Sequence, residues 1–147
     1  MKPALRIAVL GSGAGSNFAA VLSAIASGEL HAEVVLALSD DPDSSFLDLA
    51  RQHGLAAAAV DCGAHPLRTT PESQQAIHDH LAAARPDVIV LAGFMRILKE
   101  PSLSAFRDRI INVHPSLLPK HKGRYAVRDA LASGDPVTGC TVHLVIP

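Results

Sequence analysis

The segment "INVHPSLLPKHKG", residues 111–123, sets a carboxamide and an imidazole two residues apart at the end of an apolar run. Side chains two apart in an extended strand point the same way, so Asn112 and His114 face one side. Asn112 offers an amide donor. His114 offers a proton that comes and goes near neutral pH. Together they suit a reaction in which a carbonyl oxygen gains charge while a proton moves. The competing reading is a satisfied buried histidine bonded to the asparagine. Pro115 and Pro119 stiffen the loop that follows.

A second stretch, "GSGAGSN", ends the first apolar run. Gly11, Gly13 and Gly15 let backbone N–H groups approach an anion, and the helix start after them supplies partial positive charge. A phosphate is the natural guest. The dinucleotide fingerprint would put its last glycine at position 16, where Ser16 stands, and the lysine of a P-loop is absent. The turn therefore suits a mononucleotide or sugar phosphate. Ser16 and Asn17 either add side-chain donors or cap the helix; a tight turn capped by Ser16 with no ligand is the alternative. Asp40, at the end of the second apolar run, is either a turn residue or a ribose-binding acid.

A third stretch, "GFMRIL", follows the clearest apolar run. Met95, Ile97 and Leu98 are apolar where the chain leaves the core. They either line a pocket for a flat organic ligand or, for Ile97 and Leu98, pack under the next helix. Arg96 either anchors a carboxylate or forms a structural ion pair. His143 pairs with no third metal ligand at sensible spacing, so no metal is expected. "KHKGR" (120–124) reads as a solvated basic loop, and the two cysteines, Cys62 and Cys140, as buried thiols of a cytoplasmic protein.

These residues need a scaffold that gathers strand ends. Apolar runs at 6–11, 33–40, 56–61, 87–93, 109–115 and 139–146 alternate with helix-like stretches. Phe18, Val21, Leu22 and Ile25 share one helical face, as do Phe46, Leu49 and Ala50, and later Val127, Ala130 and Leu131. Gly28 and Gly54 mark helix ends, and Pro71 with Glu72 marks a helix start. Solid apolar strands alternating with helices predict an α/β fold: an open, doubly wound, mostly parallel sheet with helices on both faces. Ligands then sit at the carboxyl ends of the strands, where all three stretches fall.

The 147 residues suffice for one domain with an aliphatic core, since Trp is absent and Phe numbers four. A formal charge of −1 argues against a nucleic-acid partner. Every apolar run is too short for a membrane span. The N-terminus reads as a first strand, not a signal peptide.

"VLGSGAGSN", "PDVIVLAGFMRIL", "INVHPSLLP" and "VTGCTVHLV" together resemble the phosphoribosylglycinamide formyltransferases, from about residue 6 to the end. Methionyl-tRNA formyltransferase and formyltetrahydrofolate deformylase look similar around Asn-x-His but lack the first loop. The resemblance implies a Rossmann-like formyltransferase fold and two small-molecule substrates, glycinamide ribonucleotide and 10-formyltetrahydrofolate. It implies that Gly15, Ser16 and Asn17, with Pro115 nearby, hold the substrate. Met95, Arg96, Ile97 and Leu98, with Asn112, would line the folate pocket. Asn112 would steady an oxyanion and His114 would act as general acid. The family's catalytic Asp would fall about three residues beyond Pro147, so the chain is expected to be the N-terminal portion of one formyltransferase domain, without the later strands and final helix, and weakly active. Arg68, Lys120 and Arg124 stay unassigned. An uncovered sheet edge would favour a homodimer. The alternatives are a non-catalytic nucleotide-binding module and a formyltetrahydrofolate hydrolase.

Overall fold

The computed structural model describes residues 2–123 and 125–147. Among them six strands form one sheet: β1 (Leu5–Leu10), β2 (Ala32–Ser39), β3 (Ala57–Ala59), β4 (Val88–Leu91), β5 (Ile110–His114) and β6 (Thr141–Leu144). Their order is β3-β2-β1-β4-β5-β6. The pairs from β3 through β5 are parallel, and β6 runs antiparallel to β5. The chain winds outward from β1 to β3, then restarts on the other side of β1 at β4. That reversal opens a crevice at the strand ends.

Successive strand residues serve opposite faces, which explains why the strands are apolar throughout. Ile7, Val9, Ala37 and Val90 pack on one face with Phe18 of α1 (Ser16–Ala26) and with Phe46, Leu47 and Ala50 of α2 (Ser45–Gln52). Ala8, Leu10, Leu38, Ile89, Leu91 and Ile110 pack on the other with Ile77 and Leu81 of α3 (Pro71–Ala84). Leu103 of α4 (Ser102–Ala105) and the adjacent Phe106 complete that layer. Fully burying each large aliphatic or Phe side chain contributes roughly 1.5–3 kcal/mol before conformational entropy is subtracted.

Local signals set the helix limits. Ser44 Oγ accepts from Leu47 N at 3.2 Å. Thr70 and Ser73 cap α3 reciprocally, satisfying amides that no helical carbonyl reaches. Gly28 and Gly54 take φ of 83° and 66° just past α1 and α2, a region that side chains with a Cβ resist.

Three expectations are corrected. The buried face of α5 (Ala126–Ser133) is Ala126 and Ala130, whereas Val127 and Leu131 are 58% and 78% exposed. The helix meets the rest of the protein through two of its three alanines, which permit close approach, and its larger apolar side chains lie turned outward. The last strand is shorter than 139–146 and alternates half-buried with exposed positions, because it is paired only to β5. Cys140 is exposed, and only Cys62 is buried. No helix among the described residues is long and apolar enough to cross a membrane.

Candidate functional site

Ile110 faces the α3 layer. By strand alternation, Asn112 and His114 continue its row past the end of the core. The antiparallel register sets His143 opposite Asn112 and Thr141 opposite His114. Asn112 Nδ2 donates to His143 Nε2 at 3.3 Å, and His143 Nδ1 donates to the Leu144 carbonyl at 3.1 Å. One tautomer, protonated at Nδ1, serves both bonds. An amide nitrogen carries two hydrogens, so Asn112 keeps one for a guest. His114 Nε2 donates to the His121 carbonyl at 2.8 Å. The asparagine and the histidine are thus held by different partners rather than bonded to each other.

The segment after Pro115 is tied down from β6. Thr141 Oγ1 donates to the Ser116 carbonyl at 2.7 Å and accepts from Leu118 N at 3.1 Å. Ser116 Oγ donates to the Lys120 carbonyl at 2.6 Å. His121 Nε2 donates to Asp135 Oδ2 at 2.9 Å, and this bond holds the Asp135 carboxyl below the usual carboxylate range. Lys120 Nζ stands 3.7 Å from the other carboxylate oxygen. The basic loop is solvated at Lys120, Lys122 and Gly123, as expected, and anchored at His121. Arg124 lies outside the described residues.

The ends of β1, β4 and β5 converge on a cleft of about 540 Å³. Its walls include Asn17, Met95, Ile97, Asn112, His114 and Pro115, with Arg96 beside them. Leu67, Lys122 and Cys140 close it on other sides. An adjoining pocket of about 530 Å³ shares Asn112, His114 and Lys122 and adds Leu118, Pro119 and His143. Two carboxamides, one imidazole, one ammonium and several apolar side chains thus surround a single space.

The glycine turn lies at the edge of this cleft. Gly15 precedes α1 at φ 83°, and no side chain caps the helix. Of the two alternatives for Ser16, the cap is absent, which leaves the first-turn amides open to an anion. Ser16 and Asn17 are both exposed, and Asn17 reaches the cleft wall. The turn is braced from two sides. Phe46 N donates to the Gly13 carbonyl at 3.0 Å, and a Cβ added at Gly11 would stand 2.5 Å from the Phe46 ring. Met95 N donates to Ser12 Oγ at 2.9 Å.

The "MRIL" stretch divides its labour. Met95 and Ile97 are 44% and 54% exposed and offer apolar surface to the cleft. Leu98 is buried in the core layer with Ile77 and Leu103 and is not among the cleft-lining side chains. Arg96 directs its guanidinium inward, to Asp40 Oδ2 at 2.7 Å and to backbone carbonyls. The open choice at Arg96 resolves as a structural ion pair, and Asp40 is its partner. Cys62 is buried close to this pair, and burial pushes its thiol up, which leaves it a poor nucleophile.

Thr141, His143, Lys122 and Cys140 were not singled out as site residues by the sequence. The signal was present for two of them: Thr141 and His143 repeat the spacing of Asn112 and His114. Only an antiparallel register turns that spacing into contact.

Comparison with known proteins follows this geometry. The chain is 39% identical over 141 residues to the phosphoribosylglycinamide formyltransferase of Escherichia coli (strain K12), covering 96% of this chain and 66% of that protein. It is 40% identical over 142 residues to the trifunctional purine biosynthetic protein adenosine-3 of Drosophila melanogaster, covering 95% of this chain and 10% of the relative. The chain thus spans just under two thirds of the one and a tenth of the other. Among solved structures, glycinamide ribonucleotide transformylase 1 from Symbiobacterium toebii superposes with a TM-score of 0.89 at 41% identity, over 97% of this chain and 66% of that one. A formyltetrahydrofolate deformylase from Pseudomonas syringae shares the fold, with a TM-score of 0.85 at 22% identity. The formyl transferase family model matches residues 5–146, and on that match the chain belongs to the formyl transferase family.

Proposed function

We propose that this chain forms the catalytic face of a phosphoribosylglycinamide formyltransferase, as one unit of a single formyltransferase domain. The reaction moves a formyl group from 10-formyltetrahydrofolate to the amine of glycinamide ribonucleotide. The supporting observation is the shared cleft, with the turn-side Asn17, the apolar Met95 and Ile97, and the polar Asn112 and His114 on one space. The open amides of α1, with Gly15, Ser16 and Asn17, take the ribonucleotide phosphate. Met95, Ile97 and the backbone around Arg96 and Leu98 take the flat ring of the donor, and Pro115 fixes the wall between the two. No metal enters the scheme.

In the reaction the substrate amine attacks the formyl carbon, and the carbonyl oxygen becomes an oxyanion. The free Asn112 hydrogen meets that oxygen. The bond from the formyl carbon to N10 of the folate then breaks. His114 supplies a proton to the departing nitrogen and recovers one from the attacking amine. Formyl-glycinamide ribonucleotide and tetrahydrofolate leave, with atoms and charge conserved. Because α1 is uncapped, titration calorimetry with glycinamide ribonucleotide is expected to show one-site binding that inorganic phosphate competes away. Absence of binding overturns the assignment.

His143 fixes which way the Asn112 amide faces. His143→Leu removes that bond and leaves the amide free to rotate. A lost hydrogen bond of roughly 1–1.5 kcal/mol corresponds to about tenfold in rate. The expected result in the full-length protein is a kcat about tenfold lower, with KM for the ribonucleotide unchanged.

A further inference from the structure

Asp40 and Arg96 are 8% and 11% exposed, with Nε and Oδ2 2.7 Å apart. Asp40 follows β2 and Arg96 follows β4, so the pair crosses the ends of the sheet on either side of β1. The rest of the guanidinium is occupied as well. It donates to the carbonyls of Arg68 at 3.0 Å, Gly63 at 3.2 Å and His65. All three acceptors belong to the segment between β3 and α3, which has no strand or helix of its own. Within it, His65 Nδ1 accepts from Leu67 N at 3.1 Å and Arg68 N at 3.0 Å. Ile97 N donates to the Leu67 carbonyl at 3.3 Å. The outcome is one fixed position for Leu67, a wall of the cleft.

A loop without regular structure pays conformational entropy to hold one shape. A pocket whose wall is ordered only part of the time binds more weakly by that fraction. Guanidinium is suited to the task because its planar fork reaches several acceptors at once, which an ammonium cannot. We propose that Asp40 and Arg96 are positioning residues for the formyl donor: by clamping residues 63–68 they hold Leu67 as a preformed wall for the flat ring. The inference rests on the reading of this cleft as the donor's.

The deciding variant is Arg96→Lys. It keeps a positive charge beside Asp40 but loses the bonds to the three carbonyls. Tetrahydrofolate, the donor without its formyl group, serves as the unreactive probe in calorimetry, and glycinamide ribonucleotide as the control. Arg96→Lys is expected to weaken tetrahydrofolate binding about tenfold or more and to leave ribonucleotide binding within about twofold. Amide exchange at Leu67 and Arg68 is expected to accelerate while β1 and β4 stay protected. His65→Ala should shift the same two readouts in the same direction. His65→Asn, whose amide oxygen can accept from the same two N–H groups, should restore them. Wild-type tetrahydrofolate affinity in Arg96→Lys overturns the proposal alone, as does an equal loss of both ligands. A wild-type chain that binds the ribonucleotide but no tetrahydrofolate overturns both this proposal and the donor assignment beneath it.

Discussion

Alanine at Asn112 or at His114 is expected to lower kcat of the full-length protein by about 10²–10³ and 10²–10⁴ respectively, with ribonucleotide affinity unchanged. Asn112 stands in the middle of β5, two residues before its end at His114, with one amide hydrogen held by His143 and the other free. A donor in that position does little for a neutral carbonyl and much for the oxyanion that replaces it, so its loss falls on turnover rather than on binding. His114 is held by the His121 carbonyl through Nε2, so the proposed proton transfer falls to Nδ1. The two losses should not add in the double variant, because both groups act on one intermediate. Steady-state kinetics with calorimetry on the same preparations checks all three statements. A rate within a few fold of wild type in either single variant removes the mechanism.

Phe46→Ala should be the most damaging change in the scaffold. The ring is fully buried, its centroid 4.7 Å from that of Phe18, and it lies against the glycine turn. Removing it leaves a cavity in the α1–α2 layer at a cost of about 3–5 kcal/mol. That is a large share of the 5–15 kcal/mol that typically holds a domain together. Urea denaturation measures the loss, and Phe46→Leu supplies a milder variant that stays folded. Gly11→Ala tests the contact from the other side. Its Cβ would meet the ring at 2.5 Å, so it should destabilise the wild type clearly and the Phe46→Leu background less. A double-mutant cycle with no coupling between the two positions would contradict the packing described.

Much of this architecture could be read from residue order, for physical reasons. A strand buried on both faces must be apolar along its buried length, and "IAVL" (7–10) and "VIVL" (88–91) are. The Gly15 turn and the Asn-x-His pair were legible because chemistry restricts which residue types can occupy them. The use of Arg96 was not legible, since an inward and an outward guanidinium look alike until Asp40, 56 residues away, is placed beside it. Leu98 sat in the same stretch as Met95 and Ile97, and backbone direction alone separates core from cleft. The face of α5 was misjudged because Val127 and Leu131 outweigh two alanines on any hydropathy scale, while steric fit favours the alanines.

The facing register of β5 and β6 carries a consequence for how this protein tolerates change in length. Asn112 with His143, and His114 with Thr141, are joined across a pairing rather than along the chain. A deletion of one residue within β6 would invert its faces, turning the His143 ring to the opposite side. The stretch through α5 and Gly134 holds no strand pairing, but Asp135 just past it anchors His121 at 2.9 Å. A one-residue insertion at that turn is therefore expected to cost this loop bond, whereas a one-residue slip within β6 costs the facing pairs of the site.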